Sequence, residues 1–441
     1  MSLFRFPCPA RLPLSWQGRW IAATTVLLLL LGGCAGVGRS DGVRAPAAAA
    51  NADAPRLLRV VMLMRHGVRP PTRAQVAPEG SFDRPWPTWP VGLGELTPRG
   101  YQAVVRLGAW DRRHWVGLGL LAEQGCPRPG DLALQASHKS RTQDTARALA
   151  EGMYPGCPVE VTFPATAQAD AVFHPFDAGA TGMDPARAMR EVRAMLPPGG
   201  EAALVADNAA RLALLERALG CCTPSFCQRH AQAAGCGIQA LPSSFDHNES
   251  GRPKVGELLG TASTVSQTFL LEYLEGFPMQ QVAWGRLSRG EIAQLLEFHR
   301  IKFLYEGRAP YVAAYAASPL ARRMLDALET GPRLTVLAGH DTNIADLGGL
   351  LELHWQVPGY PRDDPPPGGA LGLALYEMPD GQRHVRAFYR SQTMDQVRGL
   401  EMLDGANPAY FEELTMPGCG TPCRLETFAA WVAGKQPGTD G

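Results

Sequence analysis

The sequence lacks a segment able to cross a bilayer. Its apolar run near the N-terminus, residues 20–31, is far shorter than the roughly 20 residues that a spanning helix needs. It also lacks an excess of either charge. Lys plus Arg number 42, as do Asp plus Glu; three of the basic and none of the acidic residues precede Cys34, so the remainder carries a net charge near −3. That balance excludes a general nucleic-acid binder, and any cluster of arginine is local. There is no GxxxxGK[ST] loop for a nucleotide. Gly117-Leu118-Gly119 falls short of GxGxxG and follows a helical pattern. No carboxylate cluster of the magnesium or calcium type stands near the polar turns described below, so neither metal nor cofactor is implied there.

What is present begins with an address. Arg5, Arg11 and Arg19 precede the apolar run, which is the pattern of a secretory signal. It ends in Leu31-Gly32-Gly33-Cys34, which resembles the bacterial lipobox, so residues 1–34 read as a signal peptide whose Cys34 becomes lipid-modified; ordinary cleavage nearby is the alternative. Residues 35–55, rich in Ala and Gly, read as a flexible tether. The expectation is an exported, periplasmic protein, touching a membrane only through that anchor, and a monomer. Beyond Cys34 lie eight cysteines, an even number that suits disulfides in an oxidising compartment. A tetrahedral zinc set is conceivable only around residues 221–236 with His230, and export favours disulfides.

Three times a short apolar run leads into a polar turn and then a helical pattern. Residues 57–64 run into Arg65-His66-Gly67-Val68-Arg69-Pro70-Pro71-Thr72. Residues 132–136 run into Ser137-His138-Lys139-Ser140-Arg141-Thr142, followed by Ala146, Leu149, Ala150 and Met153 on one helical face. Residues 334–338 run into Gly339-His340-Asp341-Thr342, followed by Ile344, Leu347, Gly348 and Leu351. Continuous apolar runs of this length suit strands of a parallel sheet buried on both faces. In open α/β sheets, ligands bind just beyond the carboxyl ends of such strands, where helix N-termini offer N–H groups to anions. The three turns are thus expected to converge, although His66 and Arg141 are 75 residues apart and Arg141 and His340 are 199 apart.

Between the second and third turns the texture becomes helical: Asp184-Pro185 reads as a cap followed by Pro at the first helical position, and residues 255, 258, 259, 262, 265 and 269 fall on one face. The expected organisation is an α/β domain from 56–175 and 301–441, with an α-helical insertion, 176–300, closing over the pocket. Residues 371–377 and 385–389, separated by Pro379-Asp380-Gly381, read as a hairpin extending the sheet.

Arg65-His66-Gly67-Val68-Arg69-Pro70 and Gly339-His340-Asp341 resemble the RHGxRxP and HD signatures of the histidine acid phosphatases (branch 2). Trp86-Pro87-Thr88-Trp89-Pro90, Leu96-Thr97-Pro98-Arg99-Gly100, Glu275-Gly276-Phe277-Pro278-Met279 and Pro366-Pro367-Gly368-Gly369 are similar to the bacterial periplasmic phytases and glucose-1-phosphatases. The resemblance covers most of residues 57–432. It implies an open, mostly parallel central sheet flanked by helices, of the phosphoglycerate mutase type, and an acid phosphomonoesterase acting on a small phosphate monoester. It implies that His66 attacks phosphorus to form a phosphohistidine, and that Cys126 pairs with Cys157, Cys227 with Cys236 and Cys419 with Cys423. Cys221 and Cys222 depart from the pattern, and a Cys222 to Cys227 pairing stays open.

The residue chemistry agrees independently. Phosphoryl transfer is chiefly positioning and electrostatic stabilisation, and arginine stays charged while binding phosphate through its fork. Arg65, Arg69 and Arg141 form the expected clamp, with His340 as a further donor and Thr72 adding a hydroxyl. Positive neighbours favour a neutral, nucleophilic His66. Asp341 is the candidate proton donor and acceptor, its bland alternative being a helix cap. His138 is a candidate substrate contact. The substrate cues conflict: His340-Asp341-Thr342-Asn343 looks phytase-like, whereas residues 275–284 look more like the glucose-1-phosphatases. The expectation is phytate, with a sugar phosphate as the alternative; a phosphoester-binding lipoprotein without turnover, or a mutase of the wider superfamily, are the readings from other classes.

Overall fold

The computed structural model of the chain describes residues 54–230 and 236–437; the signal, Cys34 and the tether up to residue 53 lie outside them. Eight strands form the main sheet: β1 (Arg56–Arg65), β2 (Leu132–Ala136), β3 (Val161–Thr162), β4 (Leu334–Gly339), β5 (Ala370–Glu377), β6 (Arg383–Ser391), β7 (Tyr410–Leu414) and β8 (Cys423–Arg424). Their order is β8-β6-β5-β1-β4-β2-β3, with β7 also pairing β6. The pairs β1/β4, β4/β2 and β2/β3 are parallel, whereas β5 runs against β1 and against β6, which in turn runs against β7 and β8. Five of the eight strands therefore point the same way, and the hairpin read from the sequence is β5 and β6.

Strand β1 is buried on both faces, and its side chains alternate between two cores as a pleated strand requires. Val61 and Leu63 join a cluster with Leu337, Leu371 and helix residues such as Leu259, Phe298 and Ile344. Val60, Met62 and Met64 join another with Leu134, Val336 and Leu149. The second cluster is closed by the helices Pro98–Gly117 and Ser140–Met153. These pack closely because Gly108 faces the Leu149 carbonyl and Gly152 faces that of Val105, leaving no room for a Cβ at either. The helix Pro185–Ala194 starts as read, with the Asp184 side chain accepting from Ala186 N–H and Pro185 at the first position.

Topology places the crevice. From β1 the chain crosses by way of the helix Pro98–Gly117 to β2, leaving a slot that β4 fills much later; from β4 it crosses through the helix Asp341–Leu350 to β5, on the other side of β1. The winding reverses at β1 and β4, which is where an open α/β sheet binds its ligand. Disulfides join Cys126 to Cys157, Cys227 to Cys236, Cys419 to Cys423 and Cys221 to its neighbour Cys222. The open Cys222 to Cys227 alternative is thus replaced by the adjacent pair. No helix among the described residues is long and apolar enough to cross a membrane.

Candidate active site

Register brings the three polar turns together: Arg65 lies opposite Gly339, and Ala136 opposite Ala338. The main chain then fixes His66 from both sides. Its N–H donates to Gly339 O at 3.0 Å, its carbonyl accepts from Gly368 N–H at 3.2 Å, and the preceding Arg65 N–H donates to Gly369 O at 2.9 Å. Gly339 has no side-chain space, since a Cβ there would stand 2.8 Å from Asn343 Oδ1 and from Phe173.

The His66 ring is buried, with Nδ1 2.9 Å from the Gly67 carbonyl. A carbonyl only accepts, so Nδ1 carries the proton and Nε2 the lone pair, which receives Arg69 Nε–H at 3.3 Å. Burial first, and then Arg69, Arg141, Arg65 and His340, hold the imidazole well below its ordinary pKa, so it is neutral in mildly acidic solution.

The arginines divide their work. Arg65 is fully buried, donating to Pro365 O at 2.6 Å and Gln267 Oε1 at 3.0 Å, and pairing with Asp341 Oδ2 at 2.9 Å. Arg69 and Arg141 are less encumbered; Arg69 donates to Pro70 O at 2.8 Å and Arg141 to His340 Nδ1 at 3.4 Å. Burial, and then its neighbour Arg141, push the Arg69 guanidinium down to about 9, which still leaves it a cation. The Nε groups of Arg65 and Arg141 are buried with no acceptor among the described residues. Buried orphan donors are costly, and an anion bound at the cavity that Arg141 lines would supply an acceptor there.

Asp341 opens the helix Asp341–Leu350, but the cap is His340, whose N–H donates to Asn343 Oδ1 at 3.0 Å. Asp341 Oδ1 accepts from Thr342 N–H at 2.9 Å. Burial opposes its charge, yet Arg65 first, and then the other cationic neighbours, outweigh it and hold the carboxyl well below its usual range. His340 is held neutral, by burial and then Arg141. Because Arg141 donates to its Nδ1, its proton sits on Nε2, 3.2 Å from Ser137 Oγ and 3.2 Å from His174 Nε2.

A cavity of roughly 340 Å³ opens before these groups, lined among others by His66, Arg69, Thr72, Arg141, Phe176 and Arg252. A second recess of roughly 280 Å³ shares Arg69, Thr72 and Asp341 with it and is lined by Arg73, Gln267 and Lys302. Thr72 thus stands between the two, though no side-chain hydrogen bond holds it. His138 does not line the cavity; it turns to Asp170, with Nδ1 3.0 Å from Oδ2. Sequence reasoning missed Gln267, which braces Arg65, and His299, whose Nε2 lies 3.8 Å from Asp341 Oδ2 while Nδ1 bonds Asp364. It also missed His174 and Arg252. Gln267 and His299 sit inside helices, where their spacing is that of any polar residue on an amphipathic face; nothing in the sequence separates them.

Comparison with known proteins fits this geometry. Residues 56–194 match the histidine phosphatase superfamily (branch 2). The phytase AppA of Escherichia coli is 34% identical over 382 residues, covering 82% of this chain and 87% of that one. A glucose-1-phosphatase of Salmonella typhimurium is 29% identical over 400 residues, covering 85% and 91%. The structure of Hafnia alvei phytase in complex with myo-inositol hexakis sulphate is similar with a TM-score of 0.78 at 32% identity, over 87% of this chain and 98% of that one. With its three strand ends gathered around a neutral histidine, the chain belongs to the histidine phosphatase superfamily, branch 2, and is a hydrolase of phosphate monoesters.

Proposed function

We propose that the chain is an acid phosphatase acting on inositol polyphosphates of the phytate kind through a phosphohistidine on His66. The observation that carries this reading is the His66 ring, with its proton fixed on Nδ1 by Gly67 O and its Nε2 lone pair set among Arg65, Arg69 and Arg141. The Nε2 lone pair attacks phosphorus while the bond to the ester oxygen breaks, and the Asp341 carboxyl gives its proton to the departing alkoxide. Water then attacks the phosphorus, loses a proton to the Asp341 carboxylate, and releases phosphate with His66 neutral again. Before substrate arrives Asp341 is ionised. A phosphate dianion offsets the arginine field that keeps it so, which favours protonation in the complex. Arg65, Arg69 and Arg141 hold the equatorial oxygens, His340 orients Arg141, and Thr72 offers a hydroxyl at the mouth.

Substrate choice follows from the surroundings. The second recess presents Arg73 and Lys302 beside the clamp, which suits further phosphates on one ring. The stretch 275–284, the cue for glucose 1-phosphate, serves packing: Phe277 lies against Trp89 with ring centroids 4.9 Å apart, Trp284 lies 4.7 Å from Trp86, and none of its residues lines either cavity. Phosphate release at about pH 5 from phytate and from glucose 1-phosphate, by wild type and His66→Ala, tests the reading. Release from phytate that vanishes in the variant is expected; a folded protein that holds the ester without releasing phosphate would turn out to be a binding protein.

We also infer export with a lipid anchor on Cys34 and a helical insertion between two α/β segments. The four disulfides suit an oxidising compartment. Cys34→Ala should move the protein from the membrane to the soluble fraction.

A further inference from the structure

Beside the phosphate cavity, His138, Asp170 and His174 place one ligand atom each within 4.8 Å of one another. Asp170 is 2% exposed, and its ion-pair partners among the described residues are these two histidines, with Oδ2 at 3.0 Å from His138 Nδ1 and 4.0 Å from His174 Nε2. Its Oδ2 also accepts the His138 backbone N–H at 3.0 Å and its Oδ1 that of Phe173 at 3.3 Å, but with neither arginine nor lysine paired to it among the described residues the buried carboxylate favours a cation. Behind His174 stands Asp177, whose Oδ2 is 3.2 Å from Nδ1. A carboxylate in that place accepts the Nδ1 proton, so Nε2 carries the lone pair and faces Asp170. This is the outer carboxylate that metal-binding histidines commonly have.

We propose that His138 Nδ1, Asp170 Oδ2 and His174 Nε2 bind a divalent transition ion, Zn²⁺ or Cu²⁺, and that its binding slows phosphate release. Two imidazoles and one carboxylate are a donor set for borderline ions, and one of them, His174, also lines the phosphate cavity. Binding displaces the Nδ1 proton of His138 to solvent. The coupling follows from one lone pair: His174 Nε2 is 3.2 Å from His340 Nε2, whose proton it can accept. An ion that takes this lone pair leaves Ser137 Oγ, 3.2 Å from His340 Nε2, as the remaining acceptor and sets a positive charge against the His340 N–H. His340 is then disturbed, and with it Arg141, which donates to its other nitrogen. The cationic clamp opposes the ion, while Asp170 and Asp177 favour it.

The coupling rests on the phosphatase reading, but the site does not, so zinc uptake is measured first with no ester present. In phosphate-free buffer at pH 7, the wild-type protein should take up one Zn²⁺ with micromolar affinity or tighter. His138→Ala and Asp170→Asn should weaken uptake tenfold or more. The His138→Ala protein, free of zinc, should release phosphate at the wild-type rate and lose its sensitivity to zinc, whereas wild type should be inhibited and recover with a chelator. Zinc-edge X-ray absorption of the loaded wild type needs no variant, and should show two imidazoles and no sulfur. No uptake by wild type, undiminished uptake by both variants, or a sulfur ligand would overturn the site. Uptake without inhibition would overturn the coupling alone.

Discussion

Around the cavity and the recess beside it, His66, Arg69, Arg141 and Asp341 form one wall within a few residues of the ends of buried strands; Gln267, His299 and Lys302 form another, in the recess, on the helices Glu257–Leu274 and Glu297–Glu306. The strand wall owes its position to register, which fixes each turn to within one peptide. The helix wall owes its position to packing, with apolar neighbours such as Leu259, Phe298 and Ile301 buried in the shared core. Register is unforgiving, because a slip of one residue reverses every side chain. Packing tolerates exchange of similar volume. We propose that the first wall carries the chemistry, while on the second Gln267 and His299 brace Arg65 and Asp341 and Lys302 is left to select the ester.

The sharpest way to break that division is His66→Ala, expected to lower kcat on the order of 10⁴-fold or more while the melting temperature stays near that of wild type; retention of more than a hundredth of the activity would remove the histidine from the chemistry. Asp341→Asn should cost roughly 10²- to 10⁴-fold in kcat, and less for a 4-nitrophenyl ester, whose leaving group needs no proton. Equal losses on both esters would contradict the acid role. In the second recess, Arg73→Gln, in the loop after β1, combined with Lys302→Gln, on the helix wall, should raise KM for phytate about tenfold, near the 1.4 kcal/mol of a lost charged contact, and leave kcat and glucose 1-phosphate untouched. A fall in kcat for both esters would merge the two walls.

The smallest effect concerns pH and stability. Glu272, in the same helix as Gln267, is fully buried; burial pushes its carboxyl up to about 8, against the Ala283 N–H that it accepts. Between about pH 4.5 and pH 8 the native chain keeps a proton that the unfolded chain has released, so stability falls as pH rises through that window. Glu272→Gln should flatten the dependence and raise the melting temperature at pH 8 by a few degrees, with little change at pH 4. An unaltered slope would mean that another group carries it.

The same asymmetry sets what could be read from the chain. Strands β1, β2 and β4 announce themselves as apolar runs, and the gathering of the residues just past them around one cavity, down to Arg141 and His340, was legible as well. The capping of the helix Asp341–Leu350 was not: Asp at its first turn looks like a cap, but the His340 backbone and Asn343 fill that role. His138 looked like a substrate contact because it shares a turn with Arg141, yet the bond to Asp170, 32 residues on, aims it elsewhere. Such pairings depend on how loops fold back, and no local pattern encodes them.

His66 is held by three main-chain hydrogen bonds, through its own N–H and carbonyl and the N–H of Arg65, to Gly339, Gly368 and Gly369, none of which stands on the helix wall. Substitutions scattered over the helix wall can therefore retune which esters are admitted without moving the point of attack. For selection in the laboratory or in nature, this makes substrate range the evolvable trait and reaction type the inherited one.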